Sequence, residues 1–240
     1  MASLRSLSKQ LPSALKTTTT MDLQQASARA AAAQISYFRS IPWCAAHLSQ
    51  PGLVIDQAQS RCLKPLHAGD TLISRTLNSA EAIPAYITFY SPPPPQASST
   101  STPTQPDATS TSNNTSASTS TLIREIKSFV ALGPMVSGWP SICHGGLVVT
   151  LLDEVMGQTF AVNKAHRLLV DIPVMTGYLN TRFEKPVPAG TEERASVLMV
   201  TARLVRNEGR KYWMEGEVQG EDGAVLARAE ALFIMLKAKL

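Results

Sequence analysis

The chain has 240 residues, 44% hydrophobic and 17% charged, enough for one large domain or two small ones. The formal charge of +4 arises within residues 1–40, where Arg5, Lys9, Lys16, Arg29 and Arg39 face the single acid Asp22. From residue 122 onward the charges nearly balance and no basic stripe interleaves with aromatics, which argues against a nucleic-acid partner. Cys44, Cys62 and Cys143 form no C-x-x-C pair, which points to a reducing compartment, and no apolar run reaches the roughly 18 residues of a membrane span, so a soluble protein is expected.

Residues 1–20 contain no acid, three basic residues and many Ser and Thr, the composition of a mitochondrial transit peptide. The last three residues, Ala238-Lys239-Leu240, relax the S-K-L peroxisomal address. The two signals compete, so mitochondrial, peroxisomal and cytoplasmic locations all stay open, and residues 1–21 are read as a disordered or targeting segment. Strong helix formers around an Ala-rich centre predict a helix over residues 24–38. Residues 52–74, broken by Pro65 and Gly69, are expected to be irregular, and residues 85–90 are rich in strand formers. Residues 22–91 therefore form an N-terminal extension of a helix and a first strand.

Residues 92–121 hold no aromatic side chain, no Lys or Arg, and the single acid Asp107. Such a stretch buries too little apolar surface to offset chain entropy and is read as a disordered insertion. The sequons at Asn113 and Asn114 are what Ser/Thr-rich sequence produces by chance. A strand follows over residues 122–132, and it is expected to pair with residues 85–90 as a hairpin whose loop is the insertion; closure entropy grows slowly enough with loop length to allow this.

Residues 133–140 are turn-rich and lead into a helix over residues 145–163. Strand-like runs follow at 169–183, 192–205, 210–219 and 224–236, separated by turn chemistry at 186–190, Asn207-Glu208-Gly209 and Glu221-Asp222-Gly223. Tyr212, Met214 and Val218 fall on one face of their run while Lys211, Glu215 and Glu217 fall on the other, the alternation of a sheet with one packed and one wet face. One apolar helix followed by an antiparallel meander implies an α+β layer, here assigned to residues 122–240, in which the sheet wraps the helix.

The chemistry concentrates in the run His144 to Gly157. Two glycines open the helix and leave bare backbone N–H groups at the positive end of its dipole. A carboxylate, Asp153, interrupts an otherwise apolar run, and a buried charge is costly unless it is used. Gly146 is the candidate oxyanion donor, with Gly145 helping the chain turn. Asp153 lies close to two turns further on, nearly the same side, as general base or nucleophile. Glu154 points about 100° away and is expected to be exposed or structurally paired. His144 either bonds the loop or helps position the scissile group. His47, His67 and His166 lack metal-ligand spacing, so neither a metal nor a redox cofactor is expected. Cys143 and His144 are adjacent and do not face each other as a dyad, and no G-x-S-x-G elbow exists.

The ordered set His144-Gly145-Gly146, Asp153-Glu154-Val155-Met156-Gly157, Thr176-Gly177-Tyr178-Leu179-Asn180, Glu184-Lys185-Pro186 and Glu208-Gly209-Arg210-Lys211 resembles the hotdog-fold acyl-CoA thioesterases, nearest the PaaI-like and thioesterase-superfamily-member-4 type. The match covers about residues 122–236. The resemblance implies a long helix wrapped by an antiparallel sheet, a homodimer or dimer of dimers with active sites at the subunit interface, and hydrolysis of an acyl-CoA in lipid metabolism. It implies a hydroxyl at Thr176 that orients water or the carboxylate, and basic groups at Arg210 and Lys211, with Arg182, toward the CoA phosphates. Two departures bear on the substrate: Ser137, Gly138 and Trp139 stand where some relatives carry an Asn, and an acid, Glu184, follows Arg182 and Phe183. The alternatives are release of a polyketide or fatty acyl chain from a carrier protein, a non-catalytic acyl-binding hotdog protein, and a hotdog hydratase. The extension before residue 92 is expected to pack beside the acyl tunnel.

Overall fold

The computed structural model describes residues 20–62, 70–92 and 122–237. The expected targeting segments at residues 1–19 and 238–240, and the tract at 93–121, lie outside the described residues. In chain order the elements are α1 (Thr20–Arg39), α2 (Pro42–Leu48), β1 (Val54–Gln57), β2 (Ala85–Tyr90), β3 (Glu125–Leu132), β4 (Ser137–Trp139), β5 (Ile142–Cys143), α3 (Gly145–Ala165), β6 (Val174–Phe183), β7 (Ser196–Glu208), β8 (Lys211–Gln219) and β9 (Val225–Met235). Short 3-10 turns occupy Gln59–Arg61 and Pro134–Val136, and a π-helical turn occupies Leu72–Thr76.

Seven strands form one antiparallel sheet in the order β1-β2-β3-β7-β8-β9-β6. The expected pairing of β2 with β3 is present, with Ile87 opposite Phe129, so strands from both sides of the 93–121 tract share one sheet. The expected irregularity of residues 52–74 is corrected at one point: Val54–Gln57 is an edge strand against β2. At the β7–β8 turn Gly209 adopts φ +55° and closes a two-residue connection between Glu208 and Lys211, a backbone conformation other residues resist.

The sheet curves around α3. Leu151, Leu152, Val155 and Met156 on the helix are fully buried against Tyr86, Ile126, Val130, Leu198, Met214 and Val218. Each such side chain contributes about 1.5–3 kcal/mol on leaving water, so this contact fixes the helix on the sheet. Gly216 sits where α3 comes closest: a Cβ there would lie 2.8 Å from the Met156 Cε and 2.9 Å from the Leu152 Cδ2. The alternation read in β8 is present, with Tyr212, Met214 and Val218 buried toward the helix. By length and hydropathy α3 would suffice to cross a membrane, but here it is the core helix of the wrapped sheet.

A second apolar layer covers the outer face of the sheet at one end. Phe38, Cys44 and Leu48 from α1 and α2 pack on Ala85, Ile87, Phe89, Phe129, Ala131 and Met199. Phe129 is its centre, stacked on Phe38 and Phe89 and met edge-on by Trp43 at a centroid distance of 4.9 Å. Strands β2 and β3 are thus buried on both faces, which is why they read as nearly continuous apolar runs. The other end of the outer face, on β6 to β9, carries charge: Arg203 pairs with Glu125, Arg228 with Glu217, and Arg182 with Glu184. The result is an α+β fold of the hotdog type, a long helix wrapped by an antiparallel sheet with an N-terminal helical layer added outside.

Candidate active site

Helix α3 begins without a conventional capping residue. His144 is its N-cap, and the His144 Nδ1 accepts from the Gly146 N–H at 3.0 Å. An accepting Nδ1 places the ring proton of the neutral imidazole on Nε2. The N–H assigned to an oxyanion is therefore held by an exposed side chain here. The Gly145 N–H meets no acceptor among the described residues. Gly145 is close to an aromatic ring: a Cβ there would lie 3.4 Å from the Phe183 Cζ. The loop before it packs tightly too, since a Cβ at Gly138 would lie 2.9 Å from the His144 Cα.

Asp153 and Thr176 come together. The Thr176 hydroxyl donates to the Asp153 Oδ1 at 2.7 Å, bridging α3 and β6. Thr176 stands immediately before a bulge at Gly177, where the β6 register against β9 shifts. A hydroxyl on one carboxylate oxygen leaves the other oxygen available to a proton or to carbon.

Both residues line a cavity of about 310 Å³ with Gln59, Ser60, Asp70, Glu154, Gly157, Gln158, Ala161, Val174 and Phe233. It opens along α3 into a groove of about 900 Å³ that shares Gln59, Asp70, Gly157, Ala161 and Val174 and runs on to Lys164 and Ala165. Gly157 has only open space where a Cβ would project. One wall of this cavity comes from the N-terminal extension, through Gln59, Ser60 and Asp70, although α1 and α2 themselves lie on the far face of the sheet.

Of the two expectations for Glu154, exposed or structurally paired, the second holds. It is not a solvated residue: it lines the Asp153 cavity, and its Oε1 accepts from the Gln158 Nε2 at 3.0 Å. Gln158 is itself buried, donating to the Tyr86 hydroxyl at 2.6 Å and accepting from Thr88 at 2.5 Å. Burial raises the Glu154 pKa above the ordinary carboxylate range; hydrogen bonds from Ser60 and Gln158 oppose this, while the Asp70 and Asp153 charges add to it. A local reading of the helix does not reach the cavity wall at Ser60, which lies far upstream in the chain.

The basic residues separate. Arg210 donates from Nη1 to the Met235 carbonyl at 2.9 Å, at the β9 end that faces Val174. Lys211 is exposed beside it and has no ion-pair partner among the described residues. Arg182 is near the opposite end of β6, paired with Glu184 at 3.1 Å. Thr176 and Arg182 are six residues apart on a strand, about 20 Å. Burial pushes the Cys143 thiol up to about 11, so it is not a thiolate nucleophile near neutrality.

The chain matches known proteins over part of its length. Over 105 residues, 43% of the chain, it is 32% identical to the acyl-coenzyme A thioesterase THEM4 of Bos taurus and 33% identical to that of Mus musculus. The chain is similar to the hotdog-fold acyl-CoA thioesterases. The matched stretch is 38% of the cow protein and 40% of the mouse protein, so the chain spans about two fifths of these curated relatives. No protein-family model matches it. Among solved structures, a Bacillus halodurans protein crystallised with CoA is 30% identical, over 46% of this chain and 66% of its own, at a TM-score of 0.39. A putative thioesterase from Ralstonia eutropha, a phenylacetic acid degradation-related protein, is 24% identical, over 46% of this chain and 76% of its own, at a TM-score of 0.40.

Proposed function

We propose that the protein hydrolyses an acyl-CoA to a free carboxylic acid and CoA, using Asp153 as general base or nucleophile and a glycine-led helix end as oxyanion donor. The observation that carries this reading is the 2.7 Å hydroxyl–carboxylate pair of Thr176 and Asp153 at the head of an open groove. The groove floor of Gly157, Ala161 and Ala165 gives an acyl chain room along α3. The thioesterase names of the curated relatives agree with this chemistry.

The working unit in this reading is a homodimer with a shared site. Seven residues of helix separate Gly146 from Asp153, about 10 Å of axial rise. A single thioester carbon requires the attacking group and the oxyanion donor each within about 3 Å of its atoms. The two groups of one chain therefore serve different carbons. A second copy resolves this. Strand β6 ends the sheet order, so one edge has no strand neighbour among the described residues, and it exposes Met175, Tyr178 and Phe183. Antiparallel pairing of β6 with its copy about a two-fold near Leu179–Asn180 brings one Phe183, with the Gly145 beside it, opposite the other Thr176. The same pairing brings one Arg182 toward the other Arg210 and Lys211, within reach of CoA phosphates.

Thiol release with a panel of acyl-CoAs, wild type against Asp153→Asn, tests the activity, with a loss of about 10²–10⁴-fold expected for loss of a general base. Unchanged turnover in the variant overturns the assignment. Hydrolysis only of carrier-bound acyl chains would move the substrate to a carrier protein, and saturable binding without hydrolysis would make this an acyl-binding protein.

A further inference from the structure

The Asp153 cavity contains two further carboxyl groups that the reading above does not use, Asp70 and Glu154. Glu154 lines it directly. The side chain is held from behind by Gln158, which is fixed in turn by Tyr86 and Thr88, with Ser128 bonding Thr88 at 3.0 Å. Ser60 of the extension lines the same cavity and accepts from Gln158 at 3.4 Å. Tyr86, Thr88 and Ser128 are buried within β2 and β3. The charged and titratable groups that face Glu154 are Asp153 on its own helix, Asp70 on the extension, and Tyr86 on β2 with the buried Arg61 beside that ring. Two neighbouring carboxyls thus sit in contrasting surroundings. Asp153 accepts from the Thr176 hydroxyl, whereas Glu154, likewise half-buried, accepts from the buried Gln158 and stands next to two like charges, Asp70 and Asp153. Burial and these like charges make Glu154 hold its proton more tightly than an ordinary carboxyl group does.

We propose that Glu154 is the general acid of the hydrolysis, giving its proton to the sulfur of the departing thiol. The inference rests on the thioesterase reading. In the base route, a water oxygen bonds to the thioester carbon as Asp153 takes the water proton, and the carbonyl π pair moves onto oxygen. The carbonyl then re-forms, the C–S bond breaks with its electron pair going to sulfur, and sulfur takes the Glu154 proton. Transfer of one proton from Asp153 to Glu154 through cavity water restores both groups. In the nucleophile route the sulfur leaves with the same demand for a proton.

Glu154→Gln keeps the shape and the acceptor of Gln158 but cannot act as an acid. The test compares one acyl group on CoA with the same group on 5-thio-2-nitrobenzoate, whose acidic thiol leaves unprotonated. Glu154→Gln is expected to lose about 10²-fold in kcat on the acyl-CoA and less than about threefold on the aromatic thioester. Equal losses on both substrates, or no loss on acyl-CoA, overturn the proposal. The wild type supplies a second readout that needs no variant: its acyl-CoA rate falls on the alkaline side as Glu154 loses its proton, while the aromatic thioester rate stays level. A level acyl-CoA profile overturns it as well. Asp153→Asn assayed alongside keeps the two readings apart, because full turnover in that variant defeats the thioesterase reading itself.

Discussion

Replacing Thr176 by valine removes one oxygen and keeps the shape, on a strand where β-branched residues are at home. The hydroxyl donates to the Asp153 carboxyl oxygen at 2.7 Å, within the short range of charge-assisted hydrogen bonds. Bonds of this class are worth about 1.5–3 kcal/mol, and at about 1.36 kcal/mol per factor of ten in rate the loss of Asp153 orientation amounts to roughly 10- to 150-fold in kcat. The assay is thiol release from the best acyl-CoA of the panel, with Thr176→Ser as the control that returns the hydroxyl. The expected order is wild type, then serine close behind, then valine. KM is expected to stay near its wild-type value because the bond orients a reacting group. A valine variant within about threefold of wild type, or a serine variant as impaired as valine, refutes the role of the hydroxyl.

Gly216→Val forces a side chain into the Met156 and Leu152 contact and is expected to cost about 1–3 kcal/mol, a fall of roughly 2–12 °C in Tm by thermal unfolding. The Glu154 pKa is raised in the folded state, so folding takes up a proton between the ordinary carboxylate range and the raised value, and stability is lost as pH rises through that window. Glu154→Gln lacks this titration, so its Tm advantage over wild type is expected to widen as pH rises from about 4; a gap independent of pH contradicts the burial argument. Lys211→Ala is expected to raise KM for acyl-CoA about three- to tenfold with kcat unchanged, and no change in KM removes Lys211 from the phosphate site.

The order of elements was legible because the residues that announce it act locally. The period of two in β8, the Gly209 and Asp222-Gly223 turns, and the apolar α3 need no distant partner to be read. Strand β1 was not legible: Val54-Ile55-Asp56-Gln57 is four residues long and half polar, and only pairing with β2 makes it a strand. Asp153 and Thr176 stood out by type and spacing, but their contact depends on α3 lying against β6, which the sheet order sets. A hydrogen bond from His144 to the loop was one of two expectations, but its role as N-cap was not legible because histidine is not a usual N-cap residue and its use here depends on ring placement. For Glu154 helix phase gave the direction correctly and its structural pairing is present, but the wall it meets comes from Ser60 and Asp70 of the extension, which no local pattern reveals. Local pattern carries the fold; long-range closure carries the site.

The central claim, that one protomer's Asp153 works with the other protomer's helix end, is tested most directly by complementation. Gly146→Pro removes the candidate N–H at a first-turn position where proline is tolerated, and Asp153→Asn removes the acid. Each variant alone is expected to be inactive. Unfolded, mixed in equal amounts and refolded together, they form half mixed dimers with one intact site of two, so activity returns to about a quarter of wild type. Recovery near that level supports a shared site; a mixture as inactive as its parts contradicts it.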